Sequence, residues 1–240
     1  MGLVVNIEHW PMPAAIALAT EGVRAKYTTD CGGGGFGAAD KEIGCKLDGA
    51  KVLAVIDEMA ECERHLADWC LFAYASPGWN SPTLTNRLIE NIAYDWVFVH
   101  YEITGEFIQK RTYSKIVSII PLIAGGLALE QASGACTDLF TNRLVYSPAA
   151  TRSQLTQQLI NHDMESLTLK CECIEKCACN AIELARFAKE RARYYQKHWD
   201  RVECHIETIR NILMNYDKRA QQTFKKMLEN KMGANYHTNS

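Results

Sequence analysis

The chain lacks the short signatures by which much enzyme chemistry is recognised: it has no G-x-S-x-G, no H-E-x-x-H and no Walker lysine, and its seven histidines are scattered. These absences set aside nucleophile-elbow hydrolases, zinc peptidases and P-loop nucleotidases, and the expectation is a protein without catalytic activity. Sustained alternation of apolar and polar residues is also missing. A half-buried sheet needs that period of two, so the fold expected is all-α. Long apolar runs are absent as well. The longest, Ile116 to Leu129, is interrupted by Ser118, Pro121 and Gly125-Gly126, and it falls short of the roughly 20 residues a bilayer span requires. Met1 to Thr20 carries no Lys or Arg ahead of its apolar residues and contains Glu8, Pro11 and Pro13, unlike an export signal. Asn6 stands where a myristoylation motif wants Ser or Thr. A cytoplasmic protein with no membrane partner is expected. Gly32 to Gly35 are followed by no Gly-Lys-Ser/Thr and preceded by no strand. They read as a flexible connection rather than a phosphate cradle.

What is present is an ordinary globular composition of 240 residues, 48% apolar and 22% charged. The net charge of -2 conceals an asymmetry: residues 1–150 carry 11 Lys+Arg against 17 Asp+Glu, and residues 151–240 carry 15 against 11. One reading is a basic end that meets a polyanion and an acidic end that meets a protein; the other is solvated helix faces with no partner. Ten cysteines in a chain without an export signal point to free thiols or metal ligands before disulfides.

Helical spacing recurs along the chain. Pro13 to Tyr27 reads as a short helix. Val52, Ile56, Met59, Leu66, Trp69 and Ala73 return every few positions and predict one helix of about six turns, closed by Ser76-Pro77-Gly78. Ser81-Pro82 starts another, running through Leu84, Leu88, Ile92, Trp96 and Val99 toward Arg111. A third begins near Thr112, is apolar around most of its circumference, and is expected to kink at Pro121. Ser147-Pro148 opens a fourth containing Leu155 and Leu159. From Trp199 a long amphipathic helix carries Val202, Ile206, Ile209, Leu213, Tyr216 and Ala220 on one stripe. The organisation expected is an irregular region 1–48 with a short helix and the glycine loop, a helical core 49–145, a basic helical region 146–232 and a polar tail 233–240. The fold class is thus a multi-helix bundle with a helix-turn-helix-like segment and a long carboxy-terminal amphipathic helix.

Three constellations are candidate sites. Cys171, Cys173, Cys177 and Cys179, spaced C-x-C-x3-C-x-C, could close a tetrahedral zinc site, remain reduced structural thiols or serve a redox role. The spacing differs from the paired C-x2-C of zinc ribbons. Arg186, Lys189, Arg191, Arg193, Lys197 and Arg201 share a short segment with Tyr194, His198 and other rings. Arg186, Lys189, Arg193 and Lys197 fall on one helical stripe, which suits DNA phosphates or is simply a solvated face. Glu61 and His65 lie one turn apart beside Cys62; they read as a surface ion pair, since a di-iron bundle needs such a pair twice.

The segment Arg191-Ala192-Arg193-Tyr194-Tyr195-Gln196-Lys197-His198-Trp199, followed by a helix with Leu213, Asp217, Arg219 and Ala220, resembles the end of the Q-type transcription antiterminators of bacteriophages and prophages. Tyr146-Ser147-Pro148 with Arg143 resembles an upstream helix start of that family, and Trp69, Leu71, Phe72, Ala73, Tyr74 and Pro77 resemble one of its helix ends. The match covers about a third of the chain. The interval between Ser147-Pro148 and Trp199 is longer than the family pattern and holds the cysteine cluster. The resemblance implies a protein that binds double-stranded DNA at a late promoter and engages host RNA polymerase so that terminators are read through. The alternative is a helical module that pairs with itself or with another protein.

Overall fold

The computed structural model describes residues 12–21, 49–79, 81–133, 136–137, 144–145, 150–168 and 181–233. They are helical apart from short connections: α1 Met12–Glu21, α2 Gly49–Cys62, α3 Arg64–Tyr74, α4 Pro82–Thr104, α5 Lys110–Val117, α6 Ile120–Ser133, α7 Arg152–Thr168, α8 Ala181–Lys197 and α9 Trp199–Gly233. A two-residue antiparallel ladder, β1 Cys136–Thr137 with β2 Leu144–Val145, is the only strand pairing among the described residues. The all-α reading therefore holds. The segment Lys110–Gln131 is long and apolar enough to cross a membrane by length and composition alone. Ile116, Ile119, Ile120, Ile123 and Leu127 within it are buried against the protein.

Several helix limits differ from the sequence expectation, each for a local reason. The single helix expected from Lys51 is two, because Glu63 leaves helical geometry at φ -137 and ψ 67. Its carboxylate is held by Arg219 and accepts Thr223 Oγ1 at 3.2 Å. The helix expected to reach Arg111 stops at Thr104. Gly105 adopts the left-handed φ of 70 and donates its N–H to Tyr101 O at 2.8 Å, a helix end that favours a residue without Cβ. Pro121 does not kink a continuous helix. The chain breaks at Ser118–Ile119, and Pro121 sits in the first turn of α6, where its missing N–H leaves no internal bond unmade. The start expected at Ser147-Pro148 lies outside the described residues. The described helix begins with a capping box: Thr151 N–H donates to Gln154 Oε1 at 2.8 Å, and Gln154 N–H returns to Thr151 Oγ1 at 3.3 Å.

The chain forms two compact units, neither continuous in sequence. The first comprises residues 1–88, 128–147 and 214–240. Its core holds Ile16 of α1, Val52, Val55 and Met59 of α2, Leu66 and Trp69 of α3, and Leu213's successors Tyr216, Ala220 and Phe224 on α9. Thr20 ties α1 to the turn after α3: its hydroxyl accepts Ser76 N–H at 2.9 Å, and its carbonyl accepts Trp79 Nε1–H at 3.2 Å. Asp217, buried on the apolar stripe of α9, accepts Trp69 Nε1–H at 3.1 Å, the Tyr74 hydroxyl at 2.5 Å and Gln221 Nε2–H at 2.7 Å.

The second unit comprises residues 89–127 and 148–213. Ile92, Trp96, Ile116, Ile120, Leu155, Leu159, Tyr195, Trp199 and Ile209 are buried within it, and each large side chain contributes about 1.5–3 kcal/mol by leaving water. Gly126 marks a close approach, since a Cβ there would lie 3.1 Å from Ala150 Cβ. Arg152 closes the base of α9 by lying over the Trp199 ring at 4.8 Å.

Candidate functional site: the two faces of helix α8

Helix α8 carries seven of the eight residues read as nucleic-acid contacts or the turn that follows them, with Arg201 in the first turn of α9. The repeat of about 3.6 residues per turn divides them. Arg186, Lys189, Arg193 and Lys197 are exposed along one side. Glu190 lies among them, and its carboxylate pairs with Arg186 at 3.2 Å while both side chains stay largely exposed. Such a pair is weak, so the side keeps its cationic character.

The opposite side of α8 turns inward. Arg191, expected as a phosphate contact, is instead largely buried: its Nε–H lies 2.7 Å from Asp163 Oδ2 on α7, and its guanidinium covers the rings of Tyr194 at 4.3 Å and Tyr195 at 4.9 Å. Lys115 of α5 reaches the same carboxylate at 2.8 Å, and the Tyr195 hydroxyl donates to it at 2.6 Å. Asp163 thus has three partners on two other helices, α5 and α8. Burial raises its pKa, but hydrogen bonds from Lys115 and Tyr195 and the charges of Lys115 and Arg191 outweigh that, leaving it below the usual carboxylate range. Burial moves Lys115 the other way, downward, against the pull of Asp163; Arg191 and Arg111 add repulsion. Tyr195 is pushed up by burial and then by the neighbouring carboxylate.

Lys115, Arg191 and Tyr195 of this cluster line a cleft of about 400 Å³ within the second unit, together with Arg111, Tyr194, His198 and Arg201. At its inner end His205 packs edge-on against Trp96 at 5.3 Å and lies 5.4 Å from His100. Sequence reasoning missed Asp163, Lys115, Arg111 and His205. One signal was available: Asp163 continues the step of four that begins at Leu155 and Leu159, which places a carboxylate on an apolar stripe.

The His205 pKa is lowered, first by burial and then by His100. The folded protein therefore resists a proton that the unfolded chain accepts near 6.5. Stability is fully present above that value and declines as the pH falls below it. His205→Phe, which keeps a ring against Trp96, should flatten the fall in melting temperature between about pH 7.5 and 5.5. An unchanged slope in thermal denaturation would show that His205 is not the responsible group.

Cys171, Cys173, Cys177 and Cys179 lie outside the described residues. Among the described residues no three His, Cys, Asp or Glu side chains gather as a metal would require. Of the described cysteines, Cys62 and Cys204 are exposed and Cys70 is buried, all as free thiols. His65, read as a partner for Glu61, packs against the Tyr216 ring at 5.0 Å. No protein-family model matches the chain, and comparison with curated proteins and with solved structures gives no match.

Proposed function

We propose that the protein is a non-enzymatic transcription regulator of the antitermination type, which holds double-stranded DNA with the exposed side of α8 and meets RNA polymerase through other helical surfaces. The observation that carries this reading is the line of Arg186, Lys189, Arg193 and Lys197, four exposed cations at helical spacing on one helix. Side chains so placed can follow a phosphate backbone, releasing condensed counterions as they do. The resemblance of the 191–199 segment to the antiterminators supplies the biological context.

The triple variant Arg186→Gln, Arg193→Gln, Lys197→Gln removes charge from solvent-facing positions and leaves the core intact. Its affinity for a duplex of about 25 base pairs should fall at least tenfold, with a shallower dependence of log K on log salt of about one unit per lost phosphate contact. Fluorescence anisotropy at several salt concentrations reads both quantities, and undiminished binding would remove the reading. Transcription past a terminator in the presence of the protein tests the second half.

A second reading, a module that docks on another protein, is favoured by one feature of the second unit. Tyr94, Phe98 and Tyr101 stand at helical spacing on α4 with exposures of 73%, 52% and 44%, and Tyr101 stacks on Phe107 at 4.8 Å. Exposed aromatics grouped in this way mark interaction surfaces. A salt-insensitive dimer in sedimentation that ignores DNA would favour this reading over the first.

A further inference from the structure

The lining of the cleft includes none of the four exposed cations, Arg186, Lys189, Arg193 and Lys197, that carry the DNA reading. Its charge balance is unusual. Arg111, Lys115, Arg191 and Arg201 converge on a space whose lining includes no carboxylate, and the one anion paired with any of them is Asp163, which holds Lys115 and Arg191. Four cations against one anion leave a surplus of about three charges in a partly desolvated concavity, where attraction is stronger than in bulk water. A structural ion pair would need only the two cations that touch Asp163. Arg111 and Arg201 are exposed and have no ion-pair partner among the described residues. Arg191 and Arg111 repel the Lys115 ammonium, behind the larger effects of burial and of Asp163.

Position is fixed as well as charge. Asp163 and Tyr195 hold Lys115, and Asp163 with two tyrosine rings holds Arg191, so these donors need little ordering to meet a ligand. The volume of about 400 Å³ exceeds what a bare oxyanion fills and lies in the range of small-molecule sites, roughly 300–1,000 Å³. At the lip, Tyr194 is 41% exposed with His198 at 4.8 Å, offering flat surface beside the cations.

We propose that this cleft binds a small organic phosphate monoester, its dianion between Arg111, Lys115, Arg191 and Arg201 and its organic part against Tyr194 and His198. A dianion answers the charge surplus better than a single carboxylate, and guanidinium forks match tetrahedral phosphate oxygens. The inference is independent of the DNA reading, since it uses none of the four cations that carry that reading.

The test is calorimetric titration of the full chain with ribose 5-phosphate and with adenosine 5′-monophosphate. One saturable site is expected for both, weakened at least tenfold in the double variant Arg111→Gln, Arg201→Gln. Those two side chains are exposed, so the variant should retain the wild-type melting temperature, which circular dichroism checks. The triple variant of the outer stripe should bind both ligands as the wild type does. Tighter binding of the adenosine ester would assign the base to Tyr194; equal affinity would confine recognition to the shared phosphate, and both support the site. Absence of saturable binding, or affinity unaltered in the double variant, would overturn it. DNA binding measured on the same preparations separates the two ideas, because a chain that grips duplex and ignores both esters loses only this one.

Discussion

Replacing Asp163 with alanine should destabilise the protein by about 3 kcal/mol or somewhat more, because two half-buried cations and a buried phenol then lose their acceptor. Lys115 and Arg191 both point at this carboxylate from helices other than its own, at 2.8 Å and 2.7 Å. Both are half-buried, with side-chain exposures of 14% and 15%. For a chain of this length that loss corresponds to roughly 6–20 °C in melting temperature. Asp163→Asn should cost less, since the amide oxygen still accepts one hydrogen bond. A triple change of Asp163, Lys115 and Arg191 to Leu, Met and Met removes the desolvation cost along with the attraction and should lie nearer the wild type than the single alanine variant. The pH dependence carries the same sign information. Asp163 is held below its usual range, so its contribution is full above an unfolded value of about 3.8 and is lost as the pH falls through the folded one. Urea denaturation of the alanine variant with a midpoint equal to the wild type would refute the whole arrangement.

Asp217→Leu should be comparably damaging in the first unit. Leucine leaves Trp69 Nε1–H and the Tyr74 hydroxyl buried without acceptors, and each orphaned group costs about 1–3 kcal/mol. Asp217→Asn is the informative contrast. Its oxygen can still serve Trp69 and Tyr74, but its amide would face the Gln221 Nε2 donor that Asp217 Oδ2 now accepts at 2.7 Å. The expected order of stability is wild type, asparagine, leucine. Cys70 supplies a second readout. Burial, then the Asp217 charge, pushes its thiol far above the ordinary value, so it should resist alkylation in the native protein while the exposed Cys62 and Cys204 react. In the leucine variant, mass mapping should show Cys70 labelled at lower urea. Identical protection in both proteins would show that Asp217 does not secure this part of the core.

The helices were legible where an apolar stripe is long and unbroken. The period through Val52, Ile56, Met59, Leu66 and Trp69 located buried positions of α2 and α3, and the stripe from Trp199 located those of α9. What spacing could not reveal was the break at Glu63, because its cause is a pair of partners, Arg219 and Thr223, that lie more than 150 residues away. The same limit governed the site. Composition alone placed Arg191 with the exposed cations of α8. Only the position of Asp163 on another helix turns it inward and makes it part of a cleft. A charged residue at a core register, as at Asp163 and Asp217, is the sequence-level trace of such networks, since an aspartate there must find donors from elsewhere in the fold.

The bond from Trp69 to Asp217 spans 148 residues, and that span sets a schedule for synthesis. As the chain leaves the ribosome at about 5–20 residues per second, Trp69 and Tyr74 emerge roughly 7–30 s before the carboxylate that satisfies them exists. Through that interval the nascent α1–α3 segment has apolar surface and two polar groups with no native acceptor, the state that chaperones recognise. Truncation before residue 217 should therefore yield a chain held by such helpers, and completion of the carboxy-terminal helix is the event that releases it.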